Sequence, residues 1–416
     1  MSGIGIGIGI GTGVGSADGG GLNIVRLANF VTPSSGGLRT ALRELGIGYR
    51  AAGHRPVLIV PGERETDEDT PQGRVITLPG PVLPGTGGYR VLTARRRLRE
   101  VLEEIGTDRL EVSDRTTLRW TGEWARRHRI PSVMVSHETA DGVLRTWGVP
   151  GTAAERAADR LNHRSAWAYS RIVCTTEWAE REFLRIGAAN VVRAPLGVDL
   201  ARCRPGRGAT AGTGASGGRG ATVRDRYARE GDVLLMLGSR LSVEKRPGTA
   251  LDTLAELRDR GVRARLIVAG DGPMRNSLVR RALAEGLPTQ FLGHVGDRED
   301  MADLQAAADI CLAPGPAETF GLSALESLAC GTPVVASASS ALPEVIGDAG
   351  VAAADNAPAF ADAVQELLAR PEAARRAAAR ARAELFSWDS AVAAFLAAHD
   401  APLLRISSPR APGGAP

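Results

Sequence analysis

From residue 22 onward the chain alternates between short apolar runs and segments whose apolar residues recur every three or four positions. LNIVRLANF (22–30), RPVLIVPG (55–62), RVITLPG (74–80), DRLEVSD (108–114), SVMVSHE (132–138) and RIVCTTE (171–177) read as strands. Between them lie helical patterns such as LRTALRELGIGYRAAG (38–53), where Leu38, Leu42 and Leu45 share one face. Repeated βα units of this kind predict a parallel sheet covered by helices.

The alternation lapses over residues 204–222, a Gly/Ala-rich stretch without apolar periodicity that reads as a flexible linker region. It restarts with DVLLMLGSR (232–240), RARLIVAGDG (263–272), TQFLGHV (289–295), DICLAPGP (309–316) and PVVASAS (333–339). The pattern predicts an α/β chain of two doubly wound, Rossmann-like domains, at 22–203 and 223–385, facing a central cleft. Residues 371–399 are Ala/Arg-rich and helical by propensity. Their end, within 386–404, is expected to form a C-terminal helix that packs back on the first domain. Ligands of such sheets bind beyond the carboxyl ends of the strands, so two facing sheets enclose one site.

Composition agrees with this organisation. A chain of 416 residues exceeds the ~250 that one core usually supports. No apolar run approaches the ~20 residues of a membrane span. Cys174, Cys203, Cys311 and Cys330 lie far apart, which suggests neither a disulfide framework nor a zinc site. Residues 1–21 lack the basic start and continuous apolar stretch of a secretory signal and read as a disordered glycine-rich tail, as do residues 405–416. A cytoplasmic protein is expected. The net charge of +4 is small and the arginines are spread along the chain, so nucleic acid is not an expected partner. Lys245 is the only lysine in an arginine-rich chain, a hint that this position needs a compact ammonium.

The richest chemistry lies in APGPAETFGLSALESLACGTPVVAS (313–337). Pro314 and Pro316 end the preceding strand, which places Glu318 in a loop at its carboxyl end. Leu322, Leu325 and Leu328 then follow helical spacing, and Gly331-Thr332-Pro333 stops the helix. Free amides of Phe320, Gly321 and Leu322 at a helix start attract phosphate. Glu326 lies roughly 6 Å further along the helix than Leu322. A diphosphate at the helix tip then has a carboxylate on either side, and carboxylates suit sugar hydroxyls; together these features fit a nucleotide sugar. GSRLSVEKRP (238–247) adds Arg240 and Lys245 at another strand end, two cations able to neutralise a diphosphate leaving group without metal.

Taken in order, GSRLS with EKRP, AGDGP (269–273), FLGHV (291–295) and the Glu318, Glu326 pair resemble the C-terminal domain of family-four retaining glycosyltransferases with the GT-B fold. In the first half, ANFVTPSSGGLRTALRELG, TGGYRVL, LEVSDRTTLR, VSHE and VRAPLGVD are similar to actinobacterial GDP-mannose-dependent mannosyltransferases that act on phosphatidylinositol mannosides. The resemblance implies an acceptor-side first domain, a nucleotide-sugar-binding second domain, and transfer of mannose with retention at the anomeric carbon. It implies that Arg240 and Lys245 hold the diphosphate, Glu318 the donor sugar and Glu326 the ribose. Thr319, Phe320, Gly321 and Leu322 form the phosphate loop, and Phe291 to Val295 border the base. His137 matches the histidine beside the reacting sugar; without the resemblance a lone strand-end histidine reads more often as structural. Gly36 and Gly37 match the N-terminal glycine loop, and Asp114 and Arg115 are acceptor-side candidates. No metal or other cofactor is expected, the nucleotide sugar being a substrate. An anionic lipid acceptor at the inner membrane surface is the implied partner, while a UDP-sugar donor stays open as the alternative.

Other signals carry less. GTGVGS (11–16) imitates a dinucleotide fingerprint but has no strand before it and no helix after it. Asp67-Glu68-Asp69 spells a metal-binding Asp-x-Asp, yet its polar surroundings read as a solvated turn. GYRVLTARRRLREVLEEI (88–105) places arginines beside Val91, Leu92, Leu98, Leu102 and Ile105, either an ordinary core-packed helix or a basic face for an anionic membrane. Two rival classes share the architecture. A nucleotide-sugar epimerase needs acid/base groups on both faces of the sugar, and a two-lobed binding protein normally carries a secretion signal.

Overall fold

The strands fall into two separate sheets, one in each half of the chain. The computed structural model describes residues 21–31, 36–83, 88–146, 148–206 and 223–402. Residues 1–20 with the GTGVGS motif, most of the expected linker and the tail 405–416 lie outside the described residues. The first half contains β1 (Asn23–Leu27), β2 (Arg55–Gly62), β3 (Thr66–Thr70), β4 (Gly73–Pro79), β5 (Arg109–Val112), β6 (Ser132–Ser136), β7 (Arg171–Cys174) and β8 (Val191–Arg193). Its helices are α1 (Gly37–Ala51), α2 (Arg95–Ile105), α3 (Arg119–Arg127), α4 (Ala140–Thr146), α5 (Gly151–Ala168) and α6 (Glu177–Leu184). The second half contains β9 (Val233–Gly238), β10 (Ala264–Ala269), β11 (Thr289–Gly293), β12 (Ile310–Ala313), β13 (Val334–Ser337) and β14 (Val351–Ala353). Its helices are α7 (Pro247–Asp259), α8 (Arg275–Ala284), α9 (Arg298–Ala307), α10 (Leu322–Ala329), α11 (Leu342–Ile346), α12 (Ala357–Ala369), α13 (Glu372–Ala383) and α14 (Trp388–Ala398).

The first sheet has the order β3-β4-β2-β1-β5-β6-β7-β8 and the second β11-β10-β9-β12-β13-β14. Every neighbour pair is parallel except β3 with β4. The strand order reverses between β1 and β5 and again between β9 and β12, and such switch points open a crevice at the carboxyl strand ends.

Three strands escape the apolar pattern. The stretch expected as a solvated turn around Asp67 is the antiparallel edge strand β3, held by ion pairs from Arg74 to Asp67 at 2.6 Å and from Arg50 to Asp69 at 3.2 Å. A ladder needs only backbone groups, and charges on an edge discourage pairing with a second chain. β8 and β14 span three residues each, too short to build a periodicity. The helix expected within 88–105 begins only at Arg95, because Arg90 instead forms an antiparallel bridge with Val82.

The alanine-rich C-terminal stretch is two helices, α13 and α14, broken where Ser387 turns extended and caps α14 by accepting from the Ser390 amide. After the break α14 returns to the first domain and packs on α1. Contact is close at Gly48, where any Cβ would overlap the Val392 side chain. Beyond it, Arg109 Nε donates to the His399 carbonyl at 2.6 Å and Arg171 pairs with Asp400 at 2.8 Å. His399 Nε2 reaches the buried Glu111 carboxylate at 3.1 Å, which also pairs with Arg26 at 2.8 Å and accepts from Tyr49 Oη at 2.7 Å. Burial alone would raise the Glu111 pKa, but Arg26 and His399 outweigh it and hold the carboxyl well below the usual range. No helix among the described residues is long and apolar enough to cross a membrane.

Candidate active site

The residues following β1, β4, β6 and β7 meet those following β9 and β12 across the cleft. On the second-domain side, Lys245 ends a short 3-10 turn after β9, and its ammonium forms an ion pair with Glu318 in the loop after β12. Burial alone would lower the lysine pKa, and the Glu318 carboxylate more than reverses this, so the pKa is raised and the ammonium stays charged. Arg240 lies with its guanidinium 4.5 Å from the centre of the Tyr89 ring, a stack that bridges the two domains.

Glu318 leads into α10. Gly321 caps that helix with φ 80°, a left-handed conformation, and a side chain there would collide with Leu342. The amides of Ala324 and Leu325 donate to the Gly321 carbonyl, whereas those of Phe320, Gly321 and Leu322 find no acceptor among the described residues. Facing this tip is the start of α1. Gly37 is its first residue and Gly36 its cap, and a Cβ on Gly37 would lie only 3.8 Å from Leu322 Cδ1. Two helix N-termini from different domains therefore meet at one point, where their dipoles add for an anion.

Thr319 binds the domains together. Its hydroxyl donates to the His137 carbonyl, and its own carbonyl accepts from Thr175 Oγ1 at 3.3 Å and Thr176 Oγ1 at 2.7 Å. The His137 ring is half-buried after β6, with Nε2 3.0 Å from Ser113 Oγ. Burial lowers its pKa to about 4, Arg26 and Arg115 pulling the same way against Glu111, so the imidazole is neutral at pH 7.

Asp114 and Arg115 reach the same end of the sheet, but their polar groups are engaged inside the first domain. Asp114 accepts from Asn29 Nδ2 at 2.8 Å and Thr117 Oγ1 at 2.6 Å. Arg115 pairs with Glu182 at 3.0 Å and donates to the Ser136 hydroxyl and the Glu138 carbonyl, which shapes the turn carrying His137.

Glu326, one turn into α10, lines a cavity of about 110 Å³ between the domains together with Thr40, Arg202, Val295 and Arg298. Burial raises its pKa to about 7, against the pull of Arg298 and Arg202. Arg298 also pairs with Glu44 of α1 at 2.9 Å. Phe291 does not reach this cavity; its ring packs against the second-domain core from β11. The structure thus brings together His137, Lys245, Glu318 to Leu322 and Gly37, and sets Glu326 with Val295 behind α10.

Several participants carry no signal in the sequence. Thr175 and Thr176 follow the apolar run ending at Cys174, but nothing local marks them as partners of Thr319. Glu344 accepts from the amides of Glu177 and Trp178 at 2.8–3.3 Å, capping α6 from the other domain. Its helix α11 belongs to the second domain, so this pairing depends on the two domains meeting.

Facing doubly wound domains, tied by a returning C-terminal helix and meeting at an anion-attracting cleft, define the GT-B fold of glycosyltransferases. Glycosyl transferases group 1 matches residues 223–384 and a Glycosyl transferase 4-like domain matches residues 36–197. A GDP-mannose-dependent alpha-(1-6)-phosphatidylinositol dimannoside mannosyltransferase of Mycobacterium tuberculosis is 49% identical over 381 residues, covering 90% of this chain and 95% of that protein. The chain belongs to the group 1 glycosyltransferases. Among solved structures, sucrose-phosphate synthase from Thermosynechococcus elongatus superposes with a TM-score of 0.72 at 20% identity, covering 90% of this chain and 97% of that one. WaaG, a glycosyltransferase involved in lipopolysaccharide biosynthesis, does so with a TM-score of 0.64 at 18% identity, covering 90% and 98%. These two share the fold.

Proposed function

We propose that this glycosyltransferase moves mannose from GDP-mannose to a phosphatidylinositol mannoside, with retention at the anomeric carbon. The observation that carries the reading is the near-full-length likeness to the mycobacterial mannosyltransferase, and the cleft geometry fits it. In this reading Arg240 and Lys245, with the amides at the start of α10, stabilise the charge that develops on the departing diphosphate. Glu318 receives the mannose hydroxyls, and Glu326 the ribose hydroxyls in the cavity beside Val295. His137 is a neutral hydrogen-bonding group beside the sugar rather than a proton carrier at pH 7. Gly36 and Gly37 let the diphosphate approach α1.

The leaving phosphate itself takes the acceptor proton on the same face, so no general base is required. Two cations and two helix starts supply the positive field, and the reading includes no metal. The first domain receives the lipid acceptor, and the protein works at the inner membrane surface. Calorimetric titration with GDP, UDP, GDP-mannose and UDP-glucose in metal-free buffer tests the donor. Preference for GDP and GDP-mannose is expected, and preference for the UDP pair would discard mannose while keeping the transfer chemistry.

A further inference from the structure

Two of the arginines on α2 are neutralised by their own surroundings. Arg96 pairs with Glu100 at 3.0 Å, and Arg97 with Glu65 at 2.7 Å and Glu104 at 3.2 Å. A continuous row of uncompensated charge lies elsewhere in the first domain, on α5. That helix buries Ala154, Ala158, Asn162, Ser165 and Ala168 and turns Arg156, Arg160, Arg164 and Trp167 outward at spacings of four, four and three, one continuous stripe.

The acids of α5 are taken by residues of other elements: Glu155 pairs with Arg145 at 2.6 Å and Asp159 with Arg185 at 2.6 Å. Among the described residues, Arg156, Arg160 and Arg164 therefore have no ion-pair partner within reach. At the far end of the stripe Trp167 is 60% exposed, although large apolar side chains are normally covered. Arg126 of α3 lies over its ring at 3.2 Å and donates to its carbonyl at 3.2 Å. The stripe runs about 16 Å from Arg156 to Trp167. Its beginning lies beside α4, which follows His137 at the cleft, so it leads from the mouth of the site along the outer face of the first domain.

The geometry points to a docking surface on α5 and the end of α3 for a bilayer rich in anionic phospholipid. A row of unpaired arginines matches headgroup phosphates, and an exposed indole stacked with the Arg126 guanidinium suits the boundary between headgroups and acyl chains. The inference rests on the lipid-acceptor reading for its purpose, since a bilayer against this face brings headgroups to the cleft, but vesicle binding is measured without any transfer. Each arginine at an anionic surface strengthens binding by roughly fivefold.

The full chain is titrated with phosphatidylcholine vesicles with and without phosphatidylglycerol. Binding to the anionic vesicles alone is expected, falling roughly a hundredfold in the Arg156→Ser/Arg160→Ser/Arg164→Ser variant. It should stay within about twofold in Arg96→Ser/Arg97→Ser, whose charges are neutralised by ion pairs. Should the stripe variant lose its melting transition, the three single variants, each expected about fivefold weaker, carry the test. Wild-type affinity in the stripe variants, no binding of the wild type to anionic vesicles, or tighter binding to duplex DNA than to vesicles overturns the proposal. Transfer to a detergent-dispersed acceptor is expected to be unchanged in the stripe variant. A wild type that binds vesicles but moves no mannose would refute the functional reading and leave the surface standing.

Discussion

Lys245 and Glu318, 73 positions apart in the chain, form one ion pair at the mouth of the cleft. The cation assigned to the diphosphate and the carboxylate assigned to the sugar thus hold each other in register, and under the proposed function an incoming donor would replace this pair with contacts to its own phosphate and hydroxyls. Under that proposal the pair would couple charge neutralisation to sugar placement.

Removing either cation should therefore act on the transition state more than on ground-state binding. Lys245→Ala and Arg240→Ala are each expected to lower kcat about a hundredfold, with a smaller change in donor KM. Steady-state kinetics at saturating acceptor check this, and wild-type kcat in both variants would sink the assignment of the diphosphate site.

Glu326 gives the site a pH signature. Its pKa is raised to about 7, so near neutrality the carboxyl is part protonated, and the charged form is the better acceptor for ribose hydroxyls. Affinity for GDP should strengthen as pH rises from 6 to 8, with an inflection near pH 7. The sign is opposite for folding: a raised carboxyl pKa stabilises the fold at low pH, and this contribution declines as pH rises toward 7. In Glu326→Gln the pH dependence of GDP affinity should vanish; a persisting inflection would assign it to another group.

The return of the C-terminal helix rests on a glycine. Gly48→Ala forces α14 off α1 through Val392 and should destabilise the protein by about 1–3 kcal/mol. Val392→Ala in the same chain should recover part of the loss, because it removes the overlapping methyls. Thermal unfolding of the two single variants and the double variant measures the coupling, and strict additivity would contradict the packing described.

Two cations and two helix starts at one point also make a prediction about metal. Transfer in buffer containing a strong chelator should proceed at the rate seen without it. Abolition by the chelator and recovery with a divalent cation would show that the protein's own positive field is insufficient.

Much of this arrangement was legible in the sequence because it is local. Apolar runs marked the long parallel strands, Pro314 and Pro316 marked the end of β12, and the helical spacing of Leu322, Leu325 and Leu328 placed Glu326 along α10. What was not legible is set by distance in the chain. Glu111 collects Arg26 from 85 positions away and His399 from 288, and no local pattern announces such a hub. Thr319 meets Thr176 and His137 only because the domains close. The charged strand β3 lacks an apolar face, so its pairing is invisible to any hydrophobic period. For Asp114 and Arg115 the sequence located the right end of the sheet but not the internal bonds that occupy them.

The most direct test of the central claim is transfer itself: purified protein, GDP-mannose and a phosphatidylinositol dimannoside in detergent, with the product's new linkage read by NMR. A mannosylated lipid carrying an α-anomeric linkage is the predicted result. Release of GDP without a mannosylated lipid, or a product with the β-anomer, would contradict the account.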